Sequence, residues 1–536
     1  MTRQRNHLIA TWIIGILCLA LLLVGCTNQA GQPQTSKTGE KSLTYTIADS
    51  VGDWGFPSPW GHYQRGPGYV RLSLIFDTLI WKNAQGLIPA LASEWDYEQS
   101  TKTYTFKLRD DVYWHDGQKL TVQDVVFTFE YLKEHPYPWV DLKNIKNVET
   151  EGDRVKIILN TDFAPFLTNV AATLPIIPKH IWEGVQEPEK YTEPLAAVGS
   201  GPFMYTDYNK EHGTYFFKAN ENYYGGQVLI QELKFVKVNP QMVAAALTKG
   251  EVDAGSIQPE MVEQLKDKYT VLSESGSANV KLMFNHKKDP LARKEFRQAI
   301  AYALDREDLV AKAQRGHGVP GSPWLYVADN KWHSPDAQQY EYNPSKTQEL
   351  LTKLGYKLEA AQDGEENSFW VKNGQQVKLE LLCEASQIRI AEVLKEQLAK
   401  VGLNIEIKSV ESKTRDARIL AWDFDLALNS HGGLASDPNL LNKFILADDF
   451  NSARYSANEQ LVNLLRRQSR AMDEAERKTI VQEIQKIYAE EVPAFTLYYP
   501  NSYWAHNGKM PLFYTNEGIA IGVPIPLNKM SFVEIE

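Results

Sequence analysis

Cysteine is scarce: three residues in 536, at Cys18, Cys26 and Cys383. The first two belong to an N-terminal apolar stretch, so a mature globule keeps only Cys383 and has no internal disulfide. Cys383 ends a strand-like apolar run over 377–383, where it reads as a small buried hydrophobe rather than a reactive thiol. Clustered positive charge is missing too. The formal net charge is −10 and no run of Lys or Arg occurs, which argues against a nucleic-acid-binding surface. There is no GxSxG, no HExxH and no Walker sequence, so the chain lacks a hydrolase nucleophile elbow, a zinc-protease helix and a phosphate-cradling loop. Histidines and cysteines show no HxH or CxxC spacing; His62, His115 and His506 are scattered, and no metal or other cofactor is expected.

What is present begins at the N-terminus. Arg3 and Arg5 precede an almost unbroken apolar run over 8–24, which leads into Leu23-Val24-Gly25-Cys26. Residues 1–26 read as a secretory signal whose end resembles the lipobox of bacterial lipoproteins, with the Cys26 thiol joined to diacylglycerol after cleavage. A plain N-terminal membrane helix is the competing reading, since the run is nearly long enough to span a bilayer. Two acyl chains would anchor the protein stably. Residues 27–42, rich in Gln, Thr, Ser, Gly and Lys, form a flexible tether. The roughly 495 residues that remain exceed what one core organises, so two or three domains are expected.

Periodicity places elements within this part. Tyr104, Phe106 and Leu108 alternate with polar residues, predicting a half-buried strand. Asp116-Gly117 marks a turn, and Thr121 with Asp124 makes a short capping box for a helix whose apolar face carries Val125, Phe129 and Leu132. Strands are predicted over 43–48, 154–159, 281–285, 403–407, 424–428 and 494–499, and a helix over 243–249 stopped by Gly250. Asp289-Pro290 and Asn343-Pro344 each read as an N-cap before Pro at the first helical position, and Asp305 restarts a helix with Asp308 at its third position. Helix, glycine, strand recurring in this way indicates an α/β architecture.

The run PALASEW…TYTFKLRDDVYWHDGQKLTVQDVVFTFEYLK resembles the signature of the family 5 extracellular solute-binding proteins, the oligopeptide, dipeptide and nickel receptors of ABC importers. KGEVDAG, FRQAIAYALDREDLV and EQLAKVGLNIEI resemble further parts of that family. The resemblance implies an α/β, type II periplasmic-binding-protein fold with two lobes, a hinge and an extra inserted domain, a three-domain arrangement of the cluster C kind. Lobe 1 would be built from 43–86, 199–280 and the C-terminal return 500–536; 87–198 would be the inserted second domain, and 281–499 lobe 2. It implies a monomeric, lipid-anchored receptor on the outer face of the cell membrane that is not an enzyme. Such a receptor captures short peptides and delivers them to an ABC permease and ATPase complex. Nickel or a metallophore, an opine or an oligosaccharide are alternative cargoes. An exported hydrolase and a purely adhesive lipoprotein are more distant alternatives.

Candidate ligand residues follow from loops and from the family pattern. The loop 50–66 is dense in Gly, Pro and aromatics, and offers Asp53, Trp54, Trp60 and Tyr63 either to a pocket or to a core. The stretch FDLALNSHGGLASDPN carries Asn429, His431 and Asp437. In the family's peptide receptors an Asp directly before Pro pairs with the ligand's α-ammonium group, and Asp437 holds that place here; locally, Asp437 equally suits a helix N-cap over 438–446. His431 suits a ligand hydrogen bond better than metal ligation, because a tight metal site needs several converging donors. By the family pattern the crossing strands lie at the bottom of the cleft. Asn285, Tyr499, Tyr503 and Trp504 would then face the ligand, with aromatic core packing as the alternative.

Overall fold

Strand β1 (Thr44–Asp49) buries Tyr45 and Ile47 on one face and Ala48 on the other, so the sheet it belongs to is covered on both sides. A computed structural model describes residues 43–323, 325–360 and 368–534. The predicted signal, Cys26 and the tether lie outside the described residues. After β1 and helix α1 (Gly66–Ile75) the chain makes a separate antiparallel sheet from β2 (Ala92–Glu98), β3 (Thr103–Leu108), β4 (Ile145–Glu151) and β5 (Arg154–Leu159), in the order β2-β3-β5-β4. Tyr104, Phe106 and Leu108 of β3 point into its core, and Tyr104 stacks on Phe166 at 4.4 Å. Helix α2 (Val122–Glu134) starts at the capping box: the Thr121 N–H donates to Asp124 Oδ2 at 2.8 Å.

The chain returns to the first sheet at Gly199-Ser200-Gly201. A Cβ on Gly199 would stand 2.1 Å from the Ile75 carbonyl oxygen, and one on Gly201 2.7 Å from it, so only glycine lets the turn lie against the end of α1. There β6 (Phe203–Asn209), β7 (Thr214–Ala219), β8 (Glu232–Lys237), α3 (Val243–Lys249), β9 (Ala254–Ser256) and β10 (Thr270–Glu274) are added.

A second large sheet follows. It contains β11 (Ala278–Phe284), β12 (Gly318–Pro320), β13 (Lys378–Cys383), β14 (Asn404–Ser409), β15 (Leu426–Gly432) and β16 (Ala494–Pro500), ordered β12-β16-β11-β15-β13-β14. Its helices include α4 (Lys294–Tyr302), α5 (Arg306–Gln314), α6 (Pro344–Lys353), α7 (Ile388–Ala399), α8 (Leu440–Ile445), α9 (Glu459–Gln468) and α10 (Glu474–Glu491). Alternate strand residues feed two separate cores. Leu282, Leu381, Cys383, Leu426 and Leu428 pack on one face, and Met283, Leu382 and Ala427 on the other. Burial on both faces is why these strands read as continuous apolar runs. Strand β17 (Ser502–His506) rejoins the first sheet, whose order is β10-β17-β9-β1-β8-β7-β6.

Two sequence expectations need correction. Helix α4 begins at Lys294 with Arg293 as its N-cap, not behind Asp289; Asp289-Pro290 is a cis peptide in a tight turn where the Ala292 N–H reaches the Lys288 carbonyl at 2.8 Å. Strand β15 does not end at 428 but runs on through Asn429 and His431 to Gly432. β11 lies alongside it over the whole length, pairing Asn279 with His431 and Lys281 with Asn429, and this ladder outweighs the poor strand propensity of Asn and Gly.

The chain passes between the two large sheets twice. One passage joins β10 to β11 through 275–277, and the other joins β16 to β17 through Asn501. The passages lie side by side, since β10 pairs with β17 in one sheet and β11 with β16 in the other. Such a two-stranded ribbon, interrupted only at 275–277 and 501, is a hinge: short segments absorb the dihedral change while the sheets stay rigid.

Candidate functional site

An open hollow of about 430 Å³ lies between the two large sheets. Arg65, Pro67 and the apolar run 521–525 line it beside the first sheet, Trp139 from the segment after α2, and His431, Gly433 and Lys443 from β15 and α8 of the second sheet's side; these sides are called lobe 1, the inserted domain and lobe 2 below. Pro67 and Ile525 also line a smaller hollow of about 110 Å³, whose other walls include Asp49, Trp54, Arg71 and Trp504. The pair lies in the range of small-molecule sites, roughly 300–1,000 Å³.

The rims meet at several points. Lys331 of lobe 2 pairs with Glu517 of the C-terminal return at 2.9 Å, and the Ala164 N–H of the inserted domain donates to the Ser469 carbonyl at 2.9 Å. Two glycines also face each other closely across the rims. A Cβ on Gly522 would stand 2.6 Å from the Ser436 Cβ and 3.0 Å from the Gly433 Cα, and both glycines have positive φ, +98° and +87°. Gly522→Ala should therefore wedge the lobes apart without unfolding either. The expected outcome is a larger radius of gyration in small-angle scattering with a melting temperature a few degrees lower, because alanine at a φ of +98° costs about 1 kcal/mol; an unchanged radius would show that the contact does not limit closure.

Of the residues singled out in the sequence, three line the hollows. His431 lines the larger one. Its Nδ1 lies 2.6 Å from the Gly432 carbonyl oxygen, which can only accept, so the proton is on Nδ1 and Nε2 is left as a lone-pair acceptor. Nε2 is buried and has no hydrogen-bond partner. Burial, and then the positive charge of Lys281, push the imidazole down to about 3, so it is neutral at physiological pH. Trp54 and Trp504 line the smaller hollow, where Trp54 Nε1 donates to Asp49 Oδ2 at 2.9 Å beside the buried Arg71–Asp49 pair.

The others are engaged elsewhere. Asp437 is buried and accepts two hydrogen bonds from Arg477, from Nη1 at 2.7 Å and Nη2 at 2.5 Å, and Oδ1 also takes the Asn439 N–H at 2.7 Å. Helix α8 starts at Leu440 with Asn439 as its N-cap, two residues later than the Asp437-Pro438 pattern predicts. Asn429 holds the Phe450 carbonyl, and Asn285 holds those of Trp422 and Phe424. Asp53 accepts from Tyr63 and Tyr208. Trp60 packs on Tyr131, Tyr137 and Trp182. The Tyr499 hydroxyl meets Ser322 at 2.6 Å inside the lobe 2 core, and the Tyr503 hydroxyl accepts from Asn501. None of these eight lines either hollow. Arg65, Trp139, Lys443 and the run 521–525 do, and no local pattern marks them.

Among the described residues no three His, Cys, Asp or Glu side chains converge as a metal site, and no helix is long and apolar enough to cross a membrane.

The family model described as bacterial extracellular solute-binding proteins, family 5 Middle, matches residues 86–451. The chain is similar to the oligopeptide-binding protein AppA of Bacillus subtilis, 28% identical over 434 residues covering 75% of this chain and 76% of AppA. It is also similar to the nickel-binding periplasmic protein of Escherichia coli, 26% identical over 387 residues covering 68% of this chain and 72% of that protein. Among solved structures, the ABC transporter substrate-binding protein CtaP of Listeria monocytogenes superposes with a TM-score of 0.76 at 25% identity, over 91% of this chain and 99% of CtaP. Bacillus subtilis AppA in complex with a nonapeptide superposes at 0.69 and 20% identity, over 92% of this chain and 99% of that one, a likeness of fold. The chain belongs to the family 5 bacterial extracellular solute-binding proteins and has their two-lobed α/β fold, that of the type II periplasmic binding proteins.

Proposed function

We propose that this protein is the capture component of an ABC importer, tethered to the outer face of the cell membrane through lipid on Cys26, and that it closes its two lobes on a short peptide. The observation that carries this reading is the hollow walled from both lobes beside a two-stranded hinge: a guest there contacts both lobes only when they are closed, and so favours closure by its differential affinity. Its relatives are solute-binding proteins rather than enzymes. Support for the anchor comes from the sequence, in the Leu23-Val24-Gly25-Cys26 ending of the apolar run. A metal chelate is the second reading, favoured by the unprotonated, unpartnered Nε2 of His431; with no converging protein ligands, the chelator would have to supply most of the coordination sphere.

Thermal denaturation with a panel of di-, tri- and tetrapeptides, and separately with nickel–histidine, tests the cargo. A peptide at about 100 times its dissociation constant should add about 2.7 kcal/mol to stability. A shift with nickel–histidine and none with any peptide would overturn the peptide reading in favour of the chelate. For the anchor, Cys26→Ala should move the protein out of the membrane fraction and remove the acyl mass from its N-terminal peptide.

A further inference from the structure

Charge around the two hollows is distributed unevenly. The acids close to them are already paired. Asp437 is held bidentately by Arg477, Asp49 by Arg71, and Glu517 by Lys331. The lining of the larger hollow contains no carboxylate at all. It does contain two cations, one from each lobe: Arg65, just before α1, and Lys443, on α8. Both are exposed, and neither side chain has an ion-pair or hydrogen-bond partner among the described residues. The amino end of α1, at Gly66-Pro67, lines the same space and adds the positive end of its dipole. An ammonium group entering this hollow therefore finds no free counter-charge, whereas an anion finds two cations and a favourable helix end. His431, on this wall, carries an acceptor, Nε2, that is buried without a partner among the described residues, and an N–H or O–H donor on the guest would satisfy it once the ring turns to expose it.

We infer that the guest is an anion: a molecule whose carboxylate is held by Arg65 of lobe 1 and Lys443 of lobe 2, which donates a hydrogen bond to His431 Nε2, and whose amino end is not read by the protein. This rests on the proposed capture between the lobes and specifies the chemistry selected there. It departs from the acidic anchor for an α-ammonium group that the family pattern suggested for Asp437, because that carboxylate is saturated by a guanidinium of its own lobe. Cations contributed by both lobes also give the guest's charge a direct role in closure, since only the closed arrangement brings both to one anion.

The test is titration calorimetry at low ionic strength with four probes: trialanine, N-acetyl-trialanine, trialanine amide and citrate. N-acetyl-trialanine should bind within about 3-fold of trialanine, and trialanine amide at least about 10-fold more weakly, the size of one charge-assisted contact. Arg65→Gln combined with Lys443→Gln should weaken trialanine at least about 10-fold and flatten its salt dependence. The melting temperature of the free protein should not move, because both side chains are exposed and unpaired. An amide that binds as well as the acid, an N-acetyl form that fails to bind, or a double variant with undiminished affinity overturns the inference. Citrate binding that the double variant loses, with no peptide binding, would overturn the peptide cargo and support the anionic one. Four silent probes would overturn both.

Discussion

Arg477→Met is expected to destabilise the protein by about 3–5 kcal/mol, a large fraction of the stability of an ordinary domain. Arg477 and Asp437 are each 6% exposed. The guanidinium makes both carboxylate contacts and also donates to Gln468 Oε1 from Nε at 3.2 Å and Nη2 at 3.0 Å. It thus ties three segments together: the loop before α8, the end of α9, and α10. Removing it leaves a carboxylate and an amide oxygen buried with too few donors, and the unpaired charge is the greater loss. Asp437→Asn added to Arg477→Met should recover more than half of the deficit, because the charge disappears while the side-chain oxygen still accepts the Asn439 N–H. Urea denaturation of the two variants measures this, and a single variant within about 1 kcal/mol of the parent would show that water replaces the guanidinium. The same loop presents Gly433 to the hollow, so Arg477→Met should weaken guest binding as well.

How far such a feature can be read in advance depends on the distance over which it is built. The caps at Asp305 and Asn343 were legible because each closes within three residues: Asp305 Oδ1 takes the Asp308 N–H at 2.9 Å, and the Asn343 side chain takes the Lys346 N–H at 3.0 Å; Asp289 and Asp437 carry the same Pro signal but cap no helix. Lobe 2 strands were legible because burial on both faces leaves unbroken apolar runs. The family signature was legible for a similar reason, being a strand, a turn and a capped helix contiguous in the chain. Asp437 was not legible. An Asp before Pro fits a cap, an ammonium anchor or an ion pair equally well, and the partner that decides, Arg477, lies forty residues on. The aromatic loop failed in another way. Trp54 reaches a hollow, but Trp60, six residues later, is taken up by Trp182 of the inserted domain at 5.3 Å, and composition cannot separate the two. Arg65, Lys443 and Gly522 are single residues with no local pattern, and they acquire meaning only where the opposite lobe meets them.

Lys281→Met is expected to stabilise the protein at pH 6–7, opposite to Arg477→Met, and the contrast lies in pairing. Lys281 is 1% exposed, on β11 beside Asn429. Its ammonium donates to the Asn451 carbonyl at 2.5 Å but has no carboxylate in contact among the described residues. Burial pushes it down to about 7 from an ordinary 10.5, with Asp449 opposing only in part. Below about pH 7 the lysine is protonated in both folded and unfolded chains, and the full penalty of the buried charge is present. Between about pH 7 and 10.5 the unfolded chain holds the proton and the folded one does not, so stability rises by about 1.4 kcal/mol per pH unit, close to 5 kcal/mol over the interval. Methionine removes the penalty but leaves the Asn451 carbonyl without its donor, for a net gain of about 2–4 kcal/mol at pH 6.5. Melting curves from pH 6 to 10 should show the parent gaining stability from about pH 7 and the variant only from about pH 8, where Lys82, which burial pushes down to about 8, begins to contribute in both; parallel curves would mean that Lys281 keeps its charge in the fold. A lysine that lowers stability invites a role in the site, and His431 supplies one. The same positive charge adds to burial in holding that imidazole neutral. Lys281→Met should therefore raise the His431 titration point from about 3, with burial still keeping it below 6.5. The ring then remains an acceptor toward the hollow near neutral pH, and the variant should retain guest binding there while losing part of it on acidification sooner than the parent does.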